Sequence, residues 1–396
     1  MSLNETASGN RIHIGFFGLR NAGKSSVANA VTGQDMSIVS DVKGTTTDPV
    51  SKSMELLPLG PVVVIDTAGF DDDSPLGELR MKRTRRILNR VDIAVLVLDG
   101  RQGPSPLDRE FLDLCGAKGI PVVIALNKSD CPGWREWPGM ECAVRVSAAT
   151  GEGIDSLKAA ICKSVEPAGG RGLLSGVLRP CGTVVFVVPI DESAPKDRLI
   201  LPQQMAIRES LELGATALVV REKELEAALG RLVEKPDLVV TDSQAFQCVS
   251  AMVPEDVPLT SFSILMARYK GFLATALEGI KAIGGLRDGD VVLVAEGCTH
   301  HRQCNDIGTV KIPAWLRKST GRELRFETSS GLGFPEDLSR YSLVLHCGGC
   351  MVTGREMLFR MKCAQDQGVP FTNYGLAIAS MKGILDRAIR PLEGLE

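Results

Sequence analysis

Ile12-His13-Ile14-Gly15-Phe16-Phe17-Gly18-Leu19-Arg20-Asn21-Ala22-Gly23-Lys24-Ser25 decides how the first part of this chain folds. Its start reads as a short buried strand, its end is G-x-x-x-x-G-K-S, and a helical stretch follows. Strand, loop and helix in that order are the setting in which this pattern binds phosphate. Backbone N–H groups of the loop and the helix N-terminus cradle the phosphates, Lys24 reaches the β and γ groups, and the Ser25 hydroxyl ligates Mg²⁺. Asn21, Ala22, Gly23 and Ser26 complete the cradle.

Three later strand ends extend the reading. Val62 to Ile65 runs into Asp66-Thr67-Ala68-Gly69, where Asp66 supports Mg²⁺ and Gly69 turns its N–H toward a γ-phosphate. Val122 to Leu126 ends in Asn127-Lys128-Ser129-Asp130, and the Asp130 carboxylate accepts two hydrogen bonds from the guanine N1 and N2 edge, which adenine cannot supply. Ala143 to Val146 leads to Ser147-Ala148-Ala149, whose backbone closes over the base. Four such motifs in this order, each at a strand end, define a switch domain for GTP and GDP.

Between the first two motifs, Asp41-Val42-Lys43-Gly44-Thr45-Thr46-Thr47-Asp48-Pro49 resembles the first switch segment of the TrmE-Era-EngA group of GTPases. That resemblance makes Thr46 a Mg²⁺ and γ-phosphate ligand, with Thr47 where many members carry Arg. Phe70 follows the second motif, where Ras-like enzymes carry the glutamine that orients water. Asn21 matches the asparagine that holds K⁺ in potassium-activated relatives; the plainer reading is a turn-forming Asn. The expectation is slow, K⁺-stimulated hydrolysis with Lys24, Thr46, Gly69 and Asn21 as the catalytic set. Lys82, Arg83, Arg85 and Arg86 form a basic helical patch, read as a solvated face or a partner contact.

A second constellation lies far downstream. Leu345-His346-Cys347-Gly348-Gly349-Cys350 is answered by Cys298-Thr299-His300, and three of the four histidines of the chain fall between Cys298 and Cys350. Both groups follow apolar runs, Val291 to Ala295 and Tyr341 to Leu345, that read as buried parallel strands, so the thiols sit at strand carboxyl ends, where open parallel sheets bind ligands. The two glycines of C-G-G-C let the backbone fold around a metal. Three thiols and an imidazole suit zinc or an iron-sulfur cluster; buried structural thiols are the plain alternative. Only three cysteines converge, so one iron of a cluster takes a non-cysteine or exchangeable ligand. His301, Cys304 and Asp306 are further candidates in the loop, better read as exposed or capping residues.

Length and composition set the frame. A chain of 396 residues holds two or three domains. A net charge of -3 argues against nucleic acid as the main partner. No apolar run reaches ~18 residues, and the first ten carry no signal-peptide pattern, so no membrane span is expected. Eleven cysteines, an odd number scattered through strands and helices, do not form a disulfide framework. A reduced, cytoplasmic setting follows.

The expected fold is α/β in three domains: a Ras-like P-loop GTPase over 1–168, a small α/β dimerisation domain over 174–266, and a parallel-sheet α/β cluster-binding domain over 267–396. The segment 167–172 is the linker. The middle domain carries no recognisable chemistry; Asp191, Lys196 and Gln203 near its first turn read as capping and loop residues. In the third, Cys298 and Cys347 are expected from different strands on one edge of the sheet.

A GTPase of this type, a featureless α/β middle, and Cys298-Thr299-His300 followed by His346-Cys347-Gly348-Gly349-Cys350 resemble the FeFe-hydrogenase maturation GTPases, the HydF family, over essentially the whole chain. The resemblance implies that Cys298, Cys347 and Cys350 hold a 4Fe-4S cluster with an open fourth site. His300 and His346 would then be weak ligands or outer neighbours. It implies a homodimer and a scaffold role, receiving a transient diiron precursor from the radical-SAM maturases HydE and HydG and delivering it to apo-[FeFe]-hydrogenase. The rivals are a tRNA-modification-type GTPase and a metal- or redox-sensing regulatory GTPase.

Overall fold

A computed structural model describes residues 11–33, 50–67, 84, 87–164, 172–190, 199–297, 307–331 and 333–395. The chain divides into two compact units, Met1–Gly169 and Gly170–Glu396.

In the first unit, β1 (Ile12–Phe17) leads through the phosphate loop into α1 (Lys24–Thr32). The strands β2 (Val50–Leu56), β3 (Gly60–Asp66), β4 (Ile93–Asp99), β5 (Val122–Asn127) and β6 (Val144–Arg145) complete one sheet in the order β2-β3-β1-β4-β5-β6. Only β2 runs antiparallel to its neighbour. β4 is buried at every position, as a continuous apolar run in the middle of a two-sided sheet should be. Two apolar clusters flank the sheet, one around Ile14, Val95 and Val27, the other around Phe17, Leu96 and Phe111. The carboxyl ends of β1, β3 and β5 carry the first three nucleotide motifs.

The second unit contains two four-stranded, all-parallel sheets among the described residues. The first has β7 (Thr183–Val187), β8 (Thr216–Val220), β9 (Leu238–Thr241) and β10 (Leu259–Ser261) in the order β10-β9-β7-β8. The second has β11 (Val291–Glu296), β12 (Arg325–Ser330), β13 (Leu343–His346) and β14 (Phe371–Asn373) in the order β12-β11-β13-β14. β11 and β13 are therefore adjacent at the centre of the sheet, not on its edge as the sequence reading had it. Their unbroken apolar runs are suited to being covered on both faces, and all four residues of β13 are fully buried.

The two sheets share one apolar core running from Val184 and Val240 through Phe262 and Phe272 to Val294, Val344 and Phe371. Its bridge is a helical pair, Phe262–Tyr269 and Leu273–Lys281. Phe262 stacks on Phe186 of β7 at 5.9 Å, and Phe272 meets Phe371 of β14 edge-on at 6.1 Å. The sequence boundary at 266/267 falls inside the first of these helices. Polar ties reinforce the seam: Asn373 Nδ2 donates to Ser263 O at 3.0 Å, and Lys311 Nζ to Gln244 Oε1 at 2.8 Å.

Candidate functional site

The nucleotide site is built on Gly23. Its φ is +93°, and a Cβ there would stand 2.3 Å from Asn127 Nδ2. Glycine's freedom lets the loop approach β5 that closely. Asn127, 2% exposed, then donates from Nδ2 to Ala22 O at 2.9 Å and accepts the Ala148 N–H on Oδ1 at 3.1 Å. One buried amide thus pins the phosphate loop to the base loop. Lys128 Nζ adds a second tie, to Asn21 O at 2.6 Å and Asp99 Oδ2 at 2.8 Å. Arg101 and then Lys128 hold the Asp99 carboxyl far below the usual carboxylate range. Asn21 sits at φ +61° with its side chain exposed.

Lys24 is buried, and its Nζ donates to Leu19 O at 2.8 Å, which holds the ammonium over the loop. Ser25 Oγ donates to Asp66 Oδ2 at 2.5 Å. Asp66 is 4% exposed, burial pushes its carboxyl up, and its Oδ1 meets no hydrogen-bond partner among the described residues. A buried carboxylate with one oxygen open beside a serine hydroxyl fits Mg²⁺, a hard cation taking oxygen ligands. Asp130 is exposed and accepts Ser147 Oγ at 2.6 Å, which lowers its carboxyl below the ordinary value. It therefore stays ionised, an acceptor on both oxygens. Ser26 and Ala149 are exposed and Ala148 half-buried. Thr46, Gly69, Phe70, Lys82, Arg83, Arg85 and Arg86 lie outside the described residues.

Sequence reading passed over the segment after Asp130. Trp137 Nε1 donates to Gly100 O at 3.0 Å, directly beyond Asp99, and Arg135 lies 3.9 Å over its ring. Arg145 lies 4.6 Å over Trp134 and pairs with Glu152 at 3.4 Å. The signal was there: two of the three tryptophans of the chain stand within four residues of each other, immediately downstream of a base-recognition motif.

The thiol site begins where the β11–β13 ladder ends. Ala295 pairs with His346, and one step further Cys347 N–H donates to Ala295 O at 2.8 Å. Cys347 Sγ accepts the Gly297 N–H at 3.1 Å and the Gly349 N–H at 3.4 Å. Gly349 is left-handed, φ +65°, and a Cβ there would press on Met357 Sδ at 2.7 Å, so the expected glycine turn between the thiols is present.

Beneath the turn lies a residue that sequence reading did not single out. Lys270, 4% exposed, donates from Nζ to Gly349 O at 2.5 Å and to Val352 O. Burial lowers its ammonium to about 8, against an upward pull from Cys350 and Cys347. Burial pushes the Cys350 thiol up, opposed by Lys270 and by the N–H groups of Cys350 and Met351. N–H donors turned on sulfur and a buried ammonium behind the loop offset part of that penalty on the thiolate, the form that binds soft metals. Soft thiols suit zinc or iron, and either would take further ligands beyond these two.

His346 is fully buried. Its Nδ1 lies 2.8 Å from Cys347 O and its Nε2 3.0 Å from Arg360 Nη1. A carbonyl only accepts and a guanidinium only donates, so Nδ1 carries the hydrogen and Nε2 is the acceptor. Burial first, then the Arg360 charge, lower this imidazole to about 3. Of the sequence candidates, His346, Cys347 and Cys350 lie at the end of β13 and in the turn that follows it; Cys298, Thr299, His300, His301, Cys304 and Asp306 lie outside the described residues, as do Asp191 and Lys196. Gln203 caps as expected, accepting the Ile200 N–H on Oε1 at 3.0 Å, while its Nε2 donates to Asp242 Oδ2 at 2.8 Å. Among the described residues, no group of three His, Cys, Asp or Glu side chains is placed to hold a metal ion.

Comparison with known proteins separates the two units. Residues 13–128 match the family model for a 50S ribosome-binding GTPase. Residues 173–271 match the hydrogen maturase F dimerization domain, and residues 274–391 the hydrogen maturase F tetramerization domain. The chain belongs to the hydrogen maturase F family.

Its curated relatives include GTPase Der of Wolinella succinogenes, 37% identical over 171 residues, which are 39% of this chain and 36% of that protein. The tRNA modification GTPase MnmE of Chromobacterium violaceum is 36% identical over 172 residues, 42% of this chain and 37% of that protein. The chain thus spans little more than a third of the length of these relatives. Among solved structures, Era of Aquifex aeolicus bound to GDP and AlF₄⁻ aligns at TM-score 0.34 and 18% identity, over 53% of this chain and 93% of that one. The two family domains matched, one described for dimerization and the other for tetramerization, support oligomerisation, in line with the self-association expected from sequence. No helix among the described residues is long and apolar enough to cross a membrane.

Proposed function

We propose that this hydrogen maturase F chain hydrolyses GTP and serves as a scaffold that carries iron chemistry to apo-[FeFe]-hydrogenase. The observation that carries the reading is the Gly297 N–H on Cys347 Sγ at 3.1 Å. It joins the tips of β11 and β13, and the residue that follows Gly297 in the chain is Cys298. Cys298, Cys347 and Cys350 would hold a 4Fe-4S cluster with one iron left to an exchangeable ligand, and His300 would stand beside it. Such a cluster supplies an iron site at which a second metal unit can dock and leave, where a fully Cys-ligated cluster is suited to electron transfer. The cargo is a diiron precursor handed over by the radical-SAM enzymes HydE and HydG.

In the GTPase unit, Asp130 selects guanine, the phosphate loop and Lys24 draw charge from the β and γ groups, and Ser25 with Asp66 would hold Mg²⁺. Water adds to the γ-phosphorus, the bridging bond to the β-phosphate breaks, and GDP and phosphate leave. Thr46 and Gly69 would contact the γ-phosphate, and Asn21 would hold K⁺ where other GTPases use an arginine finger. Equal rates in K⁺ and Na⁺ would remove Asn21 from that role. Hydrolysis then acts as a timer for partner exchange by biasing a two-state interface.

The likeness to tRNA modification GTPases covers 42% of this chain at most in the case above, whereas the maturase domains cover the second unit. The deciding experiment loads the anaerobic, reconstituted protein with HydE and HydG and adds apo-hydrogenase. Hydrogen evolution is expected; its absence, with RNA copurifying instead, would favour the tRNA reading.

A further inference from the structure

Arg360 is among the most deeply buried charged side chains of the second unit, 1% exposed on the helix Gly354–Asp366. Burying a guanidinium is costly unless every direction finds an acceptor. Here each of the three nitrogens finds one: Nε donates to Glu356 Oε1 at 2.8 Å, Nη2 to Gly331 O at 2.6 Å, and Nη1 to His346 Nε2 at 3.0 Å, with the Phe334 ring 5.2 Å beneath. Glu356 is itself buried, so the pair forms an almost fully enclosed ionic unit.

The chain of contacts continues to the thiol loop. His346 passes from Arg360 on one nitrogen to the Cys347 carbonyl, 2.8 Å away, on the other. That carbonyl belongs to the peptide linking Cys347 to Gly348 and so sets the start of the C-G-G-C turn. An imidazole can give a metal only a nitrogen that carries no hydrogen. Nδ1 carries the hydrogen, and the lone pair of Nε2 points at a guanidinium.

Resting on the cluster reading above, we propose that Arg360 is a positioning residue that withholds His346 from the metal and, through it, fixes the Cys347 peptide. His346 is then an outer neighbour, and the exchangeable iron site is left to another ligand. Asparagine can place an amide N–H where Nδ1–H stands, so His346→Asn should keep the hydrogen bond to the Cys347 carbonyl. His346→Leu removes that hydrogen bond, and Arg360→Met uncovers Nε2.

The test uses the full chain labelled with ¹⁵N-histidine, reconstituted anaerobically with iron and sulfide, reduced, and read by pulsed EPR. Wild type and His346→Asn are expected to show the same histidine nitrogen couplings, with His346→Leu altering the g-values through the loosened turn. Arg360→Met should gain a histidine coupling, and Arg360→Lys, which keeps one donor, should restore the wild-type spectrum. If Arg360→Met fails to fold, the two His346 variants decide. A wild-type histidine coupling that disappears in His346→Asn overturns the proposal while leaving the cluster reading intact. A wild-type chain that holds no iron overturns both.

Discussion

The backbone N–H of Gly297 points at the sulfur of Cys347, 3.1 Å away, across the tips of two adjacent parallel strands. This hydrogen bond joins two residues 50 positions apart in the sequence, at the tips of β11 and β13. Lys270 holds the same loop from below through the Gly349 and Val352 carbonyls.

Replacing Lys270 by Met keeps the stem and removes the ammonium. Two carbonyls lose their donor, at roughly 1–3 kcal/mol each if left unsatisfied. The expected result is a clear fall in iron and acid-labile sulfide retained after anaerobic reconstitution and a lower melting temperature of the second unit, with guanine-nucleotide affinity unchanged. Full iron retention would remove Lys270 from the site.

Gly23→Ala forces a left-handed φ of +93° on a residue with a Cβ and drives that Cβ onto Asn127 Nδ2. Strain of this kind costs about 1–3 kcal/mol, so GTP and GDP affinity should fall by about tenfold or more. Titration with a fluorescent guanine nucleotide measures it.

Ser147→Ala removes the donor that bonds Asp130 at 2.6 Å and the acceptor of the Thr150 N–H. A hydrogen bond to a charged group is among the stronger kinds, but water replaces part of it at this exposed carboxylate. Guanine-nucleotide Kd should rise roughly tenfold, and discrimination against adenine nucleotides should narrow. An unchanged ratio of the two affinities would show that Asp130 needs no such support.

His13 is buried in β1, and burial lowers its imidazole from 6.5 to about 4. The folded state therefore keeps it neutral while the unfolded chain protonates below 6.5. Its stabilising contribution is complete above pH 6.5 and is lost as pH falls toward 4, by roughly 3 kcal/mol in all. Urea denaturation followed by the fluorescence of Trp134 and Trp137 should show this slope in wild type and a shallower one in His13→Leu.

The elements that decide function were legible where pattern and chemistry coincide. β13 and β11 lie where their apolar runs put them, and Gly349 turns as the C-G-G-C spacing requires. β2 escaped notice because Val-Ser-Lys-Ser-Met-Glu-Leu alternates on an exposed edge and reads like a polar loop. The helix Phe262–Tyr269 was missed because it is buried between two sheets and shows little polar face. Lys270 and Arg360 were illegible for a different reason: such side chains are almost always exposed, and only the fold shows that carbonyls, a carboxylate and an imidazole converge on them.

The most direct measurement is iron and sulfide content with Mössbauer spectra of the anaerobically reconstituted full chain, wild type against Cys298→Ala and Cys347→Ala. A four-iron cluster in wild type, lost or severely depleted in both variants while GTP binding persists, is the expected result. A Cys298→Ala protein with wild-type iron content and an unchanged spectrum would contradict the shared site.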